Sequence, residues 1–324
     1  MIQRQLPPWA RHTHPVMRSV LGPNHQNYAE RVKRWMFIGV TTLVLAFIGV
    51  LIGTEFFQVD LSQLPISEAL MKVVFWPLFG LQIVLRLFAL SMTIGTIGDE
   101  KRRQTWDNLR TTAEGASLAM RARWSSVVFY RMRPMLYVVT IARFVLIGAL
   151  LYDLTAFSGD YLNNLTVSIV PQVPFAVSVL FVALMMTASL LLPVSGLGLD
   201  AAIGLAVSTV THQRIYAILA QITLAAIRVG IVAGLLILMT EFRGGVIGIE
   251  SATQLGLWVL IFGFAAIGDW GVSLLHLGFF GAEVWANVDY SIFIGVALLV
   301  FVFAQTLMTD LLLAFAVRRA ERSE

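Results

Sequence analysis

The sequence predicts an all-α polytopic membrane protein with six transmembrane helices, an N-terminal interfacial helix and a re-entrant hairpin before the last span. Hydrophobic residues make up 58% of the 324-residue chain and charged residues only 13%, against roughly 25% charged residues in soluble domains. Mean hydropathy is +0.79, and several apolar runs reach the about 20 residues that a helix needs to cross a bilayer. Helices suit these runs because lipid offers no hydrogen-bond partners to the backbone.

Six apolar stretches are predicted as spans, and they divide the chain into a leader over residues 1–34 and a membrane domain over residues 35–324. They lie at about residues 36–57, 73–97, 135–157, 171–206, 215–240 and 291–317. The fourth stretch is expected to be bent or mobile, because Pro193, Gly196 and Gly198 interrupt its far end. A polar segment over about residues 98–134 separates the second span from the third.

The leader is polar, basic and rich in proline over its first third. Residues 16–35 could form a surface helix, broken near Gly22–Pro23, that lies on the inner leaflet of the membrane. Basic residues mixed with Val16, Met17 and Trp35 favour this interfacial helix over a solvated leader.

The distribution of charged residues decides between two arrangements of residues 255–289 in the membrane. This segment is apolar but is broken at residues 268–271, which leaves two pieces too short for a full crossing. A re-entrant pair and a single kinked span are both compatible with that pattern. A seventh span would place Arg318, Arg319 and Arg322 outside, against the positive-inside rule, so six spans with both termini in the cytosol are predicted.

Several chemistries are excluded by composition and motif. The chain has no cysteine, so thiolate metal sites and cysteine nucleophiles are ruled out. It contains no phosphate-binding loop and no zinc-protease motif. We therefore expect no enzyme activity, no catalytic residue, no metal and no cofactor in this chain. The basic residues cluster between spans, which favours membrane orientation over nucleic-acid binding.

The loop after the second span carries the most specific pattern. It resembles the cytosolic loop of ABC-2 type transporter permeases, in which a membrane helix ends in an acidic and basic stretch. Seven residues match this pattern, with aspartate in place of glutamate at one of them: Glu100, Arg102, Thr105, Trp106, Asp107, Leu109 and Thr112. The chain departs from the pattern at Gln104, where the family has glycine, and at Ala113, where it often has proline.

This resemblance implies a permease subunit in the cell membrane, with a separate P-loop ATPase and a second permease copy as partners. Because ABC-2 permeases are mostly exporters, it also implies export. The loop would transmit the motion of the ATPase into the membrane. Trp106 and Leu109 stand three residues apart among charges, which makes one apolar stripe suited to a partner groove. Alternatively, the loop only caps two helices and holds them at the anionic leaflet.

Two other functions remain open. A non-transporting structural subunit of a larger membrane complex would tolerate the departures at Gln104 and Ala113. An intramembrane enzyme is the third possibility, although no cluster of histidine and carboxylate residues supports it.

Charged residues inside the apolar spans are the other candidate functional group. Arg86, Arg143 and Arg228 lie within spans, and Asp200 and Asp310 lie in or near their ends. Such charges are costly in lipid and point to function or to pairing. We predict interhelical pairs rather than a substrate path, with Asp310 as the partner of Arg228. Arg143 is close enough to the cytosolic end of its span to extend toward water.

Overall fold

The computed structural model describes residues 6–11, 13–21, 28–52, 54, 66–98, 115–156, 167, 169–211, 213–243, 253–275 and 282–322. Within these ranges the chain forms helices and no strand, which confirms the all-α prediction. The helices are α1 Pro15–Leu21, α2 Tyr28–Leu51, α3 Ile66–Ile94, α4 Gly115–Ser125, α5 Arg133–Ala156, α6 Phe175–Val210, α7 Arg214–Arg243, α8 Gln254–Gly263, α9 Ala282–Asn287 and α10 Ile294–Arg322. Two π-helical turns cover Ser126–Arg131 and Phe264–Gly268.

Five of the described helices are long and apolar enough to cross a membrane. They are Glu68–Gly98, Arg133–Tyr152, Phe175–Val210, Arg214–Phe242 and Ser291–Glu321. The first predicted span, at residues 36–57, lies partly outside the described residues. The described apolar helix in this region, Trp35–Leu51, is shorter than each of the five helices named above. A sixth span therefore stays a prediction.

Helix α6 is the centre of the fold and packs along both α10 and α3. Glycine permits the closest contacts. A Cβ atom on Gly295 of α10 would lie 2.7 Å from the carbonyl oxygen of Phe181, and one on Gly204 would overlap Thr93. Small residues at helix crossings are the usual means of close packing in membranes, because van der Waals contact replaces the hydrophobic effect there.

Helix α6 is continuous from Phe175 to Val210, so Pro193 does not end the helix, and the bend or mobility expected there stays a prediction. Proline has no N–H group, and the carbonyl of the residue four positions earlier loses its helical donor. For Pro193 that carbonyl belongs to Ser189. Arg143 of α5 donates to this carbonyl in place of the missing N–H group, which lets the helix continue.

A second helical proline, Pro77 in α3, is accommodated by glycine in the neighbouring helix. Pro77 leaves the carbonyl of Val73 without its helical donor. Gly49 of α2 packs so closely on this carbonyl that a Cβ atom would overlap the oxygen. The α2–α3 crossing therefore requires a residue without a side chain at position 49.

The leader packs against the chain's own helices. The side chain of Met17 in α1 is fully buried beside Ala122 and Tyr130. The hydroxyl of Tyr130 donates a hydrogen bond of 2.8 Å to the carbonyl of Ala10. Helix α1 ends at Leu21, which agrees with the predicted break near Gly22–Pro23. Residues 28–35 differ from the prediction, because they belong to α2, which begins at Tyr28 and continues into the apolar segment.

Residues at the start of the segment that begins at Thr253 contact residues at its end, near Tyr290. The side chain of Gln254, at the start of α8, bonds the carbonyl of Asn287 at 3.4 Å and the amide of Asp289 at 3.2 Å. Trp258 donates to the carbonyl of Tyr290 at 3.3 Å. The two ends of the segment therefore meet, and its turn after Gly268 lies inside the bundle.

Candidate functional site

A buried cluster of charged residues surrounds the turn that follows Gly268. Arg86 comes from α3, Arg143 from α5, Asp200 from α6 and Arg228 from α7, while Asp269 and Trp270 form the turn itself. Arg86, Arg143, Asp200 and Asp269 are buried, and Trp270 is fully buried. The cluster joins α3, α5, α6 and α7 to the turn.

Arg143 is bonded to backbone carbonyls in the interior. Its guanidinium donates to the carbonyl of Ser189, which Pro193 leaves without a helical donor. It also donates to the carbonyls of Asp269 at 2.9 Å and Trp270 at 3.0 Å. The expectation that Arg143 extends toward water is wrong, because carbonyls freed by a proline and by a helix end are available closer at hand.

Arg86 of α3 contacts the end of the helix that precedes the same turn. Its Nη1 donates to the carbonyl of Ile267 at 2.5 Å, and its Nε lies 3.3 Å from Oδ2 of Asp200. The last carbonyls of a helix lack intrahelical partners and carry the negative end of the helix dipole. Two arginines placed on these carbonyls make a helix end possible deep in an apolar interior.

Trp270 contacts both of these arginines. The guanidinium carbon of Arg86 is 4.6 Å from the indole centroid, and that of Arg143 is 5.7 Å away. Desolvated cation–π contacts of this kind are worth about 2 kcal/mol or more. Trp270 also has a left-handed backbone conformation with φ of 60°, which costs roughly 1–2 kcal/mol in a residue with a side chain. The contacts with the two guanidinium groups offset that strain.

Asp269 closes the turn through its carboxylate, which accepts hydrogen bonds from the backbone amides of Gly271 at 2.9 Å and Ser273 at 2.6 Å. Gln82 of α3 completes the arrangement when its amide is oriented to match its neighbours. It then donates to the carbonyl of Asp269 at 3.3 Å and accepts from Arg143 at 2.9 Å.

Asp200 forms a bridge between two arginines. One carboxylate oxygen pairs with Arg228 of α7 and the other lies against Arg86. Asp310 is exposed on α10, so the predicted Arg228–Asp310 pair is wrong. The prediction of interhelical pairing agrees with the geometry, but the partner of Arg228 lies on the neighbouring helix α6.

The seven matching residues of the loop, from Glu100 to Thr112, lie outside the described residues. Both flanks of this loop are described and are bonded to α6. The amide of Ile97 donates to the hydroxyl of Ser208 at 2.9 Å, and the indole of Trp124 donates to the carbonyl of Gly198 at 2.8 Å. Between them in the sequence, Arg123 of α4 is buried, and desolvation lowers its pKa to about 10.

Sequence reasoning identified the charged residues one by one and missed what joins them. Gln82, Asp269 and Trp270 were not expected at the site. One signal was available in the sequence. A proline inside an apolar helix frees a carbonyl four residues earlier, and an arginine on another span is a suitable donor to it.

Comparison of the chain with protein-family models, with curated proteins and with solved structures finds no match.

Proposed function

We propose that this chain is the membrane subunit of an ABC-type exporter, coupled through residues 98–134 to a separate ATPase and working beside a second permease copy. The observation that carries the proposal is the resemblance of the loop after the second span, from Glu100 to Thr112, to the loop of ABC-2 permeases. ATP hydrolysis would belong to the partner, since this chain has no phosphate-binding loop.

The bonds at the flanks of the loop support this role. Ile97 precedes the matching residues 100–112 and Trp124 of α4 follows them, and both are bonded to α6. Two residues beyond Gly198, the acceptor of Trp124, Asp200 joins α6 to Arg86 and Arg228. A displacement of the loop would therefore act on the helix that holds the buried charges.

The proposed topology places α2 as the first of six spans and residues 255–289 as a hairpin that enters the membrane from outside. The leader contacts Tyr130 through Ala10, and the end of α3 contacts the end of α6 through Ser208. These contacts gather the leader, the loop flanks and the end of α6 at one end of the fold. Basic residues are concentrated in the same segments, which favours this end as the cytosolic one in the cell membrane.

The test is purification of the full chain from its native membrane in mild detergent, followed by an ATPase assay of the complex. We expect an ATPase to co-purify, and we expect Trp106→Ala and Glu100→Ala each to lower ATP turnover while the complex stays assembled. Trp35→Ala and Glu241→Ala are matched controls, because both residues are exposed and lie outside the loop. Both controls should retain the parent turnover.

Two results would contradict the proposal. An intact complex without any nucleotide-binding subunit would favour the structural-subunit alternative. Parent-level ATP turnover in both Trp106→Ala and Glu100→Ala would contradict the proposed coupling role of the loop.

A further inference from the structure

A groove opens between α3, α6 and α7 directly over the Asp200 bridge. Its volume is about 190 Å³, several times the about 30 Å³ that one water molecule occupies in the liquid. Six apolar side chains line it: Leu87, Leu90, Ile203, Leu224, Ile227 and Ile231. Ile227 and Ile231 are exposed on the α7 side, so the groove opens toward the exterior of the bundle.

Charged groups form the floor of this apolar groove. Arg86, Asp200 and Arg228 are its three charged lining residues. The Asp200 and Arg86 side chains are 5% and 3% exposed, whereas the Arg228 side chain is 23% exposed. One carboxylate between two guanidinium groups leaves the floor with a net charge of +1.

This excess charge lies far from the ends of α7. Arg228 is 14 residues beyond Arg214, the first residue of the helix, or about 21 Å along it at a rise of 1.5 Å per residue. An unbalanced charge in an apolar interior is strongly unfavourable unless another charge compensates it. The groove is therefore complementary to a ligand with one negative charge and an apolar body.

We propose that the groove binds a monoanionic amphiphile, with its anionic head group on Arg228 and its alkyl chain along the isoleucine and leucine side chains. The head group supplies the charge that Asp200 alone does not balance. The groove selects against neutral chains, which gain no ion pair, and against cationic chains, which face two arginines. Anionic phospholipids of the bilayer and single-chain anionic amphiphiles share this chemistry.

Binding at this groove does not depend on transport or on an ATPase, so its test is separate from that of the proposed function. The full chain is reconstituted in nanodiscs of zwitterionic phosphatidylcholine. Equilibrium binding of radiolabelled hexadecanesulfonate, whose charge does not titrate near neutral pH, is compared with that of hexadecanol. We expect a saturable component of one site per chain for the sulfonate and none for the alcohol.

Two variants locate the site. Arg228→Gln removes the excess charge and should weaken sulfonate binding at least about tenfold, as loss of a charge-assisted contact does. Ile231→Trp fills the groove while all three charged residues remain, and it should abolish saturable binding. Ile237→Trp is the control, because Ile237 is exposed on the same helix outside the groove, and binding should match the parent.

Phosphatidylglycerol added to the nanodiscs identifies the source of the ligand. Competition with the sulfonate assigns the groove to bilayer lipid, and the absence of competition assigns it to single-chain amphiphiles. Equal binding of sulfonate and alcohol would overturn the proposal, as would the absence of saturable sulfonate binding. If Arg228→Gln fails to fold, unchanged binding in Ile231→Trp overturns it alone.

Discussion

The guanidinium of Arg143 donates to the carbonyl oxygen of Ser189, the acceptor that Pro193 leaves without its helical donor. An arginine from α5 thus replaces the missing N–H of α6. The same guanidinium reaches two carbonyls of the turn after Gly268. One buried cation therefore supports both a proline inside a helix and a helix end inside the bundle.

Removal of Arg143 should destabilise the fold strongly. In Arg143→Met three carbonyls lose a donor, and among the described residues only that of Asp269 keeps another donor, Gln82. Each buried polar group left unsatisfied costs about 1–3 kcal/mol. Pro193→Ala restores an N–H group for Ser189 only, so Arg143→Met with Pro193→Ala should lose less stability than the two single changes together. Thermal unfolding in detergent measures both effects.

Arg121→Met is the control for this experiment, because Arg121 is exposed on α4 and exposed substitutions usually change stability by less than about 0.5 kcal/mol. Strict additivity of Arg143→Met and Pro193→Ala would show that Arg143 does not compensate for the proline.

The partner of Arg228 can be identified by a double-mutant cycle. Asp200→Asn and Arg228→Gln should show a coupling energy of about 0.5–3 kcal/mol, since the two residues are in direct contact. Asp310→Asn and Arg228→Gln should add to within about 0.5 kcal/mol, because Asp310 is exposed on α10. Denaturant unfolding of the parent, the three single variants and the two double variants supplies the values. Coupling to Asp310 but not to Asp200 would refute the pairing described here.

The α2–α3 crossing predicts opposite outcomes for two glycines of one helix. Gly49→Ala places a Cβ atom on the carbonyl of Val73, and overpacking of this kind costs about 1–3 kcal/mol. Gly39→Ala meets nothing within 4 Å and should be neutral or stabilising by up to about 1 kcal/mol through helix propensity. The difference in melting temperature between the two variants is the measurement. Equal melting temperatures would show that α2 does not approach α3 at Gly49.

Docking of the leader should govern its resistance to protease. Met17→Ala deletes a fully buried side chain, a change that costs about 2–5 kcal/mol in a packed site. Cleavage that follows local opening should then accelerate at least about tenfold. Trypsin cleavage after the exposed Arg18 reports the opening, and Ser19→Ala, at an exposed position, is the control. Equal cleavage rates in parent and Met17→Ala would mean that α1 is held by other contacts.

The class of the fold can be read from the amino-acid sequence alone, because the signal for a membrane helix is local. A run of about 20 apolar residues specifies a spanning helix whatever surrounds it. The break at residues 268–271 was visible for the same reason, since glycine and aspartate disfavour a helix interior. The positions of the intramembrane charges could also be read directly from the chain.

The contacts of those charges depend on how the helices pack. Arg228 pairs with Asp200 because the facing sides of α6 and α7 bring the two side chains together, and sequence separation carries no information about which helices are neighbours. The side chain of Arg143 points into the bundle because Ser189 and the turn at Asp269 have carbonyls that lack helical donors. The presence of Pro193 in the sequence indicates that the carbonyl of Ser189 needs another donor. The arginine that donates to it lies 50 residues before Pro193 on another helix, and only the packing of the helices brings the two together.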